Sequence, residues 1–409
     1  MRISTNTLYD TGTSQLGNLQ TSLAKTQMLL STGRKNLTAA DDPISAARTL
    51  EVTQSQSINS QLVTNRQNAR SSLSQVELAL SGVTSLIQDV QTLAVNAGSG
   101  AMTESDRKSV AIELEGRLND LLGLANTSDG AGGYLFSGYR STTQPFTQTA
   151  TGAQYHGDQG QRTLQVGSTR QMPVSDSGTS VFENITTGNG TFTTSADPAN
   201  TARGGSGIIS SGAVADAAAL TGHDYSINFT VANGVTSYTI KDETLGAVVV
   251  GAEDPVPFQP GQQIAVDGMA FTIKGNPADG DSFAVKPSAK ESIFTTLTNM
   301  INTLKQSANG AAGQAALTNG LNTAQDNLSS ALDNVLSVRA SIGARLKELD
   351  YLDSAGEDLN LQYSQTLSDL NDLDNVKAIS QFSQQQFTLE AAQKSFKTLT
   401  GLSLFNFIS

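Results

Sequence analysis

The sequence contains no cysteine and no tryptophan, and only 5% of its 409 residues are aromatic. Without cysteine, disulfides and thiolate metal sites are excluded. His156 and His223 are the only histidines, and no His-Glu-x-x-His metallopeptidase motif is present. Walker-type loops, Gly-x-Ser-x-Gly elbows and dinucleotide fingerprints are missing as well. The sequence therefore predicts a protein that is not an enzyme, with no catalytic residues, no metal site and no cofactor.

Charged residues are also scarce, at 15%, and the acids outnumber the bases to give a net charge of -12. No Lys/Arg cluster of the kind that binds nucleic acid or anionic lipid occurs, so we expect neither nucleic acid nor a membrane as partner. The chain opens with no signal-peptide pattern and has no apolar run of about 18 residues. If the protein is exported, we expect a route without a cleaved signal peptide.

Proline is unevenly distributed and divides the chain into three parts. Eight of the nine prolines lie between Pro145 and Pro287, in a stretch rich in Gly, Thr and Val. Because proline breaks helix interiors, long helices are expected only in the flanks. In the middle, Asn233-Gly234 and Asp267-Gly268 separate runs of alternating apolar residues. Both dipeptides predict hairpins with type I′ turns.

The N-terminal flank predicts helices with apolar stripes. The first helix ends at Gly33, and Asp41 and Asp42 can cap a second helix that has Pro43 in its first turn. A long run from 73 to 97 then alternates steps of three and four, as in the seam of a coiled coil. Thr103 and Asp106 resemble a capping box before a third helix. The stripe residues of the first helix and the central seam residues are Leu16, Leu19, Leu23 and Leu30, and Val83, Ile87 and Val90.

The C-terminal flank mirrors this pattern. A helix is predicted over 317–352, with Val335, Val338 and Ile342 on its seam. Arg345 lies on the same seam, and two interpretations stay open: its guanidinium reaches water, or it forms an ion pair with an acid of the N-terminal helices. Asp369, Asp372 and Asp374 are interpreted as acids near the start of a last helix rather than as calcium ligands. The apolar stripe of that helix includes Phe382, Leu389, Phe396, Leu399, Leu404 and Phe405.

An amphipathic helix has to cover its apolar stripe, and burial stabilises by about 1.5–3 kcal/mol per large side chain. We therefore predict a mixed α and β fold: a long antiparallel coiled-coil rod of paired N- and C-terminal helices, with an inserted β-rich domain. Two separate helical hairpins are the alternative. Aspartate at Ile87 or at Val338 is expected to do equal damage to such a rod. The predicted domains are 1–42, 43–140, 141–289, 290–374 and 375–409.

The stripes of the first and last segments are diluted by Gln and Thr. We therefore expect 1–42 and 375–409 to be disordered in the monomer and to become ordered against neighbouring subunits. The residues predicted to make these intersubunit contacts are Leu16, Leu19, Leu23, Leu30, Phe382, Leu389, Phe396, Leu399, Leu404 and Phe405.

Five motifs, in the same order along the chain, resemble the flagellin superfamily, with Asp41-Asp42-Pro43 in the first of them. The variant with proline after the two acids is similar to the members that join hook to filament, since flagellin itself usually has alanine there. The resemblance covers about 1–146 and 290–409. The motifs are Leu30 to Arg48, Leu124 to Asp129 with Tyr134 to Gly138 and Pro145-Phe146, Val338 to Leu346, Leu389 to Ala392, and Leu402 to Phe405.

The resemblance implies a structural axial protein of the external bacterial flagellum at the hook–filament junction. It implies a ring of copies, a hook-associated protein on the hook side, flagellin on the filament side, and an export chaperone that serves the flagellar type III apparatus. A flagellin filament subunit is the first alternative, and a coiled-coil surface adhesin is a more distant one. The insert matches nothing residue by residue, so whether it forms one domain or two stays open.

Overall fold

The computed structural model describes residues 5–100 and 102–405, and the side chains of residues 5, 6, 8 and 399–405 are outside the description. Long helices occupy both flanks of the chain and short strands occupy the middle. This arrangement confirms the predicted fold class, with helical flanks and an inserted β-rich region. The helices are α1 Thr5–Thr32, α2 Pro43–Ala97, α3 Glu104–Ala125, α4 Asn200–Arg203, α5 Ile293–Lys305, α6 Gly310–Asn371 and α7 Asn375–Phe405.

The strands are short, and most of them pair in an antiparallel manner with neighbours inside the insert. Two short helical turns, at Thr179–Glu183 and Ala217–Ala219, interrupt them. The strands are β1 Phe146–Thr149, β2 Gly152–Tyr155, β3 Thr163–Gln165, β4 Gln171–Pro173, β5 Ile185–Thr186, β6 Phe192–Ala196, β7 Ile208–Ile209, β8 Ala213–Val214, β9 Tyr225–Ala232, β10 Val235–Asp242, β11 Ala247–Val250, β12 Val256–Pro257, β13 Gln263–Val266, β14 Met269–Lys274, β15 Ser282–Pro287 and β16 Lys290–Glu291.

Local sequence signals set several helix boundaries. The Asp42 carboxylate accepts hydrogen bonds from the backbone N–H and the hydroxyl of Ser45, which caps α2 as predicted. Thr103 and Asp106 form a reciprocal capping box at α3. After α1, Gly33 takes a positive φ of 65°, which glycine adopts without steric cost.

One helix is longer at both ends than the prediction. The helix expected over 317–352 extends from Gly310 to Asn371. No apolar side chain added after residue 352 is fully buried, and Leu359 and Leu361 are 43% and 61% exposed, so no apolar seam marks this part of the helix. They pack instead through amides, since the Asn59 side chain donates to the Gly356 carbonyl and Gln56 donates to Asn360. These hydrogen bonds satisfy the polar groups that lie between α2 and the end of α6.

The chain divides into two compact units, which we call the terminal unit (residues 1–64 and 351–409) and the central unit (residues 65–350). In the terminal unit, α1 packs against α7, and the first turns of α2 pack against the end of α6. The central unit contains the rest of α2 and α6, the helices α3 and α5, and the whole insert.

Two hydrophobic clusters involve the insert. The first is an aromatic cluster in which Phe146, Phe182 and Phe294 lie with ring centroids 5.0 to 5.9 Å apart. It joins β1 and the turn Thr179–Glu183 to α5. The second is the core of a two-sheet sandwich formed by residues 192–287. Its larger sheet has the order β11-β10-β9-β15-β6, and β12 also pairs with β10.

Both predicted hairpin turns are present in the sandwich. Asn233 and Gly234 take φ values of 52° and 76° between β9 and β10. Asp267 and Gly268 take 42° and 78° between β13 and β14. Two successive positive φ values are the geometry that a type I′ turn requires, which confirms the prediction from the dipeptides.

An 18-residue window within Pro43–Ala97 reaches a mean hydropathy of 1.2 and is 44% buried, so by length and composition α2 could cross a membrane. The expectation that no apolar stretch approaches this length holds only for uninterrupted runs. The apolar residues of α2 recur at seam spacing, and Leu73, Val83 and Ile87 are fully buried in the fold. Packing within the protein therefore accounts for its apolar character.

Candidate functional site

In the terminal unit, the first helix α1 and the last helix α7 pack against each other and run antiparallel. The rings of Tyr9 and Phe396 lie 5.3 Å apart, and further along the pair the Thr26 hydroxyl donates to Gln385 at 2.8 Å. Gly12 faces the Phe396 ring so closely that an added Cβ would lie 2.6 Å from it. A larger residue at this position would push the helices apart.

The predicted assembly residues on these helices are only partly exposed, because they lie on the faces that α1 and α7 turn toward each other. Seven of them are half-buried there: Leu16, Leu19, Leu23, Leu30, Phe382, Leu389 and Phe396. Leu399, Leu404 and Phe405 lie outside the residues whose side chains the structure describes. Among the described residues, the two stripes are thus placed together within one chain.

A second apolar face on α7 is exposed. Val376 is 82% exposed, Ile379 55% and Phe387 73%. Spacings of three and eleven residues place these side chains on one side of the helix, away from Ala378 and Phe382. The sequence analysis did not separate this face from the stripe. The signal was available, because Val376 and Phe387 fall outside the stripe's 3–4 spacing.

Backbone hydrogen bonds join the connection between α1 and α2, a corner of the chain, to the corner between α6 and α7. Backbone N–H groups of Lys35 and Leu373 donate across the two corners, to the carbonyls of Asn371 and Gly33. Lys25 pairs with Asp41 at 2.7 Å, and this hydrogen bond, together with two from Thr38, lowers the pKa of the Asp41 carboxyl to about 2. This corner is the segment in which the superfamily motif with Asp41-Asp42-Pro43 occurs.

Of the three acids predicted near the start of the last helix, Asp374 caps it and Asp369 lies within α6. The Asp374 carboxylate accepts a hydrogen bond from the backbone N–H of Lys377 at the start of α7. Asp372 accepts from the Ser368 hydroxyl and forms a β-bridge with Arg34. Across residues 5–100 and 102–405, no group of three or more His, Asp or Glu side chains could hold a metal ion.

In the central unit, the seam predicted on the two flanks is a helix pair. Gln91 donates to Ser329, and Leu321 lies 3.6 Å from the Cβ position of Gly98. Residue numbers rise along α2 as they fall along α6, so the helices run antiparallel. Five of the six predicted seam residues are at most 1% exposed, and Val338 is half-buried: the five are Val83, Ile87, Val90, Val335 and Ile342.

An ion pair that the sequence analysis missed bridges this seam. Arg339 donates two hydrogen bonds to one oxygen of Glu77, at 2.9 and 2.6 Å, and a third to the Thr84 hydroxyl. A charged residue beside an apolar run usually indicates a solvated face, so no periodic signal marks Arg339.

Arg345 fits neither interpretation offered by the sequence. Its guanidinium binds both carboxylate oxygens of Asp176, at 3.1 and 3.2 Å, and the two side chains are 15% and 8% exposed. The partner is therefore an acid of the insert, and not one of the N-terminal helices. Both interpretations were wrong because they allowed the guanidinium only water or an acid of the N-terminal helices as its partner.

Three asparagines continue this attachment along α6. Asn319 accepts from the backbone N–H of Ile209 and donates to the Gly207 carbonyl. Asn327 accepts from the N–H of Gly188, and Asn334 donates to two carbonyls of the turn Thr179–Glu183. Their spacing of seven to eight residues places them on one face of α6, beside the seam. One helix thus uses one face for the α2 seam and another to hold the insert.

Comparison with known proteins gives separate family matches for the N-terminal helical flank and for the sandwich of the insert. Residues 3–141 match the bacterial flagellin N-terminal helical region, and residues 198–287 match the D2-like domain of flagellar hook-associated protein 1. Over 405 residues the chain is 31% identical to the flagellar hook-associated protein 3 of Salmonella typhimurium, with 99% of each chain covered. The chain belongs to the flagellar hook-associated protein 3 family.

Other members of the hook-associated protein 3 family agree in sequence and fold. The Escherichia coli protein is 29% identical, again with 99% of both chains covered. The crystal structure from Legionella pneumophila superposes with a TM-score of 0.74 at 33% identity, covering 78% of this chain and 98% of that one. FlgL of Xanthomonas campestris gives 0.70 at 28% identity, covering 78% and 99%.

The described residues of this hook-associated protein 3 family member also include a cavity in the central unit and a buried polar pair in the sandwich. A cavity of about 310 Å³ lies among α4, α5 and α6 and is lined mainly by Ala, Gly, Asn and Thr. In the sandwich, His223 Nδ1 lies 2.7 Å from the buried Asp242 carboxylate. Burial acts to raise the pKa of Asp242, but hydrogen bonds from the Leu245 N–H and His223 outweigh it and lower the pKa. The hydrogen bond from the Leu245 N–H to Asp242 also stabilises the turn between β10 and β11.

Proposed function

We propose that this chain is a structural subunit of the external flagellum and forms the junction between hook and filament. The observation that carries the proposal is family membership over 99% of the chain, together with helical flanks that pair around a β-rich insert. A similar structure from Legionella pneumophila is described as a flagellar junction protein. A flagellin filament subunit is the weaker alternative, and no observation specifically favours a surface adhesin.

The proposed partners follow from the position of such a subunit. Copies of the chain form a ring, a hook-associated protein contacts it on the hook side, and flagellin contacts it on the filament side. An export chaperone and the flagellar type III apparatus deliver it without a cleaved signal peptide. The role is structural and includes no catalysis. The five-segment division and the disorder of 1–42 and 375–409 in the monomer are part of the same proposal.

Deletion of the gene tests the junction role directly. We expect the deletion strain to build hooks but to release filament subunits into the medium, because nothing connects the two. Electron microscopy of sheared cells and immunoblotting of the culture supernatant for flagellin measure both results. A plasmid copy should restore filaments. Normal filaments on the deletion strain would contradict the proposal, and loss of the main filament protein itself would favour the flagellin alternative.

We further propose that the exposed face of α7, defined by Val376, Ile379 and Phe387, contacts neighbouring copies. The three side chains are spread over about three helical turns, and α1 covers a different side of the same helix. Exposed patches of this kind mark protein interfaces. The assembly residues predicted on α1 and α7 stay part of this proposal, and in the single chain those with described side chains lie between the two helices.

Ile379→Ser with Phe387→Ser should abolish motility of the complemented deletion strain while leaving the helicity of the purified protein unchanged. Both side chains lie mostly in water in the single chain, so their loss costs the monomer little. Swimming in soft agar and circular dichroism measure the two effects. Gln381→Ser, at an exposed position on a different side of the helix from these three residues, is the matched control. Wild-type swimming by the double variant would disprove this assembly face.

A further inference from the structure

Asparagine is followed directly by glycine at four places in the chain, and the four pairs lie in different structural settings. They begin at Asn189, Asn233, Asn309 and Asn319. The side-chain amide of asparagine can react with the backbone nitrogen of the next residue, and glycine allows this most readily because it has no Cβ to block the approach. The reaction needs a free side-chain amide, a free backbone N–H and a backbone that lets the two groups meet.

Asn319 is protected by burial and by hydrogen bonds. It is 7% exposed, and its side chain accepts from the Ile209 N–H and donates to the Gly207 carbonyl. The following Gly320 lies inside α6, where each backbone N–H donates to the carbonyl four residues earlier. Neither reacting group of this pair is free in the folded chain.

Asn189 is protected by hydrogen bonds at both reacting groups. Its side-chain oxygen accepts from the backbone N–H groups of Thr191 and Phe192, at 3.0 and 2.9 Å. The attacking nitrogen would be that of Gly190, and its N–H donates to the Thr187 carbonyl. This pair can react only after the loop has opened.

Asn233 is exposed, but its backbone holds the side chain away from the next nitrogen. Its φ of 52° lies in the left-handed region. The ψ of that region is about +47°, which places Cβ on the opposite side of the peptide from the nitrogen of Gly234. The pairing of β9 with β10 begins at Ala232 and Val235, so the turn cannot rotate unless the hairpin opens.

Asn309 has none of these protections. It lies exposed in the connection between α5 and α6, and its side chain makes no hydrogen bond or ion pair with the residues that the structure describes. Gly310 is the first residue of α6, so its N–H has no acceptor within the helix. A Cβ added at Gly310 would meet nothing within 4 Å, so the approach to its nitrogen is open.

We propose that Asn309 is the site at which this chain undergoes spontaneous deamidation. The Gly310 nitrogen bonds to the side-chain carbonyl carbon of Asn309, and the amide nitrogen leaves as ammonia with the proton of the Gly310 N–H. Water then opens the resulting succinimide ring at either carbonyl and gives aspartate or isoaspartate, so water is the only co-reactant. The new carboxylate lies beside the first turn of α6, where a negative charge is favourable. The inference does not depend on the junction role.

Incubation of the full-length chain in mildly alkaline buffer, followed by peptide mass spectrometry, measures conversion at all four pairs in one sample. We expect Asn309 to convert at least about tenfold faster than Asn189, Asn233 and Asn319, because those three react only through a locally opened state. Asn309→Gln should remove the fast conversion, since glutamine would have to form a larger ring. Conversion of any of the other three at the rate of Asn309 overturns the proposal.

Unfolding separates the effect of the fold from that of the neighbouring residues in sequence. In guanidinium chloride all four pairs should convert at similar rates, because each is then an unprotected Asn-Gly pair. If Asn309 remains much faster than the others in the denaturant, its reactivity comes from the local sequence and the proposal is overturned. In the folded chain the rate at Asn309 should also rise with pH, because the attacking nitrogen has to lose its proton. A rate that does not change with pH would exclude attack by Gly310.

Discussion

Replacement of Val335 by aspartate should unfold the helical part of the central unit, whereas the same replacement three residues later, at Val338, should leave it folded. Val335 is 1% exposed and Val338 is half-buried. A carboxylate at the first position has no water and no partner, and its burial costs several kcal/mol. Native stability is commonly about 5–15 kcal/mol, so this single change removes a large part of it.

This contrast corrects the expectation that aspartate at Ile87 and at Val338 would be equivalent. Ile87 is 0% exposed, so Ile87→Asp should match Val335→Asp. At Val338 the carboxylate can rotate toward water and remain hydrated. Urea denaturation followed by helical circular dichroism measures all three variants, and Val338→Ala serves as the control for lost apolar area. Equal loss of stability in Val335→Asp and Val338→Asp would contradict the assigned seam.

The absence of native cysteine makes a direct test of the pairing possible. Gln91→Cys with Ser329→Cys should be joined within the monomer by a short bis-maleimide cross-linker, because the wild-type side chains meet in a hydrogen bond of 3.2 Å. The control pairs Gln91→Cys with Ser341→Cys, at an exposed position more than three helical turns away. Cross-linking of the control pair as readily as the first pair would mean that α2 and α6 slide past each other.

Arg345→Met should destabilise the central unit by about 3 kcal/mol or more. The substitution leaves the Asp176 carboxylate, 8% exposed, without its bidentate partner. Removal of one member of a buried pair is far more damaging than the pair's own net contribution, because the remaining charge stays buried. Gln161 still donates one hydrogen bond to Asp176, which offsets only part of the loss.

The double variant distinguishes an unpaired charge from lost packing. Arg345→Met with Asp176→Leu should recover most of the stability, since an apolar pair of similar volume replaces a buried ion pair at little cost. Chemical denaturation of the wild type, both single variants and the double variant gives the coupling energy. If the double variant is as unstable as the sum of the singles, Arg345 and Asp176 act independently and the attachment of the insert to α6 lies elsewhere.

The sequence by itself determined the helical flanks, their caps and the hairpin turns of the insert. These features depend on neighbours within a few residues, so the pattern of Leu, Val and Ile, the Asp42 cap and the Asn233-Gly234 turn are sufficient to predict them. The sequence also predicted that the flanks pair, because each flank carries a long apolar seam that has to be buried. The family could also be recognised, since its motifs lie in these same local segments.

Tertiary structure alone decided which polar residues hold the fold together and which apolar residues stay outside it. Arg345 binds Asp176, 169 residues away in the chain, and Asn319 binds the backbone of β7. Such contacts leave no periodic trace, because a single polar side chain is compatible with water, a facing helix or a distant loop. The sequence shows that Val376 and Phe387 lie outside the apolar stripe of α7, but only the fold shows that α1 leaves them exposed, since periodicity does not tell which residues a neighbour covers.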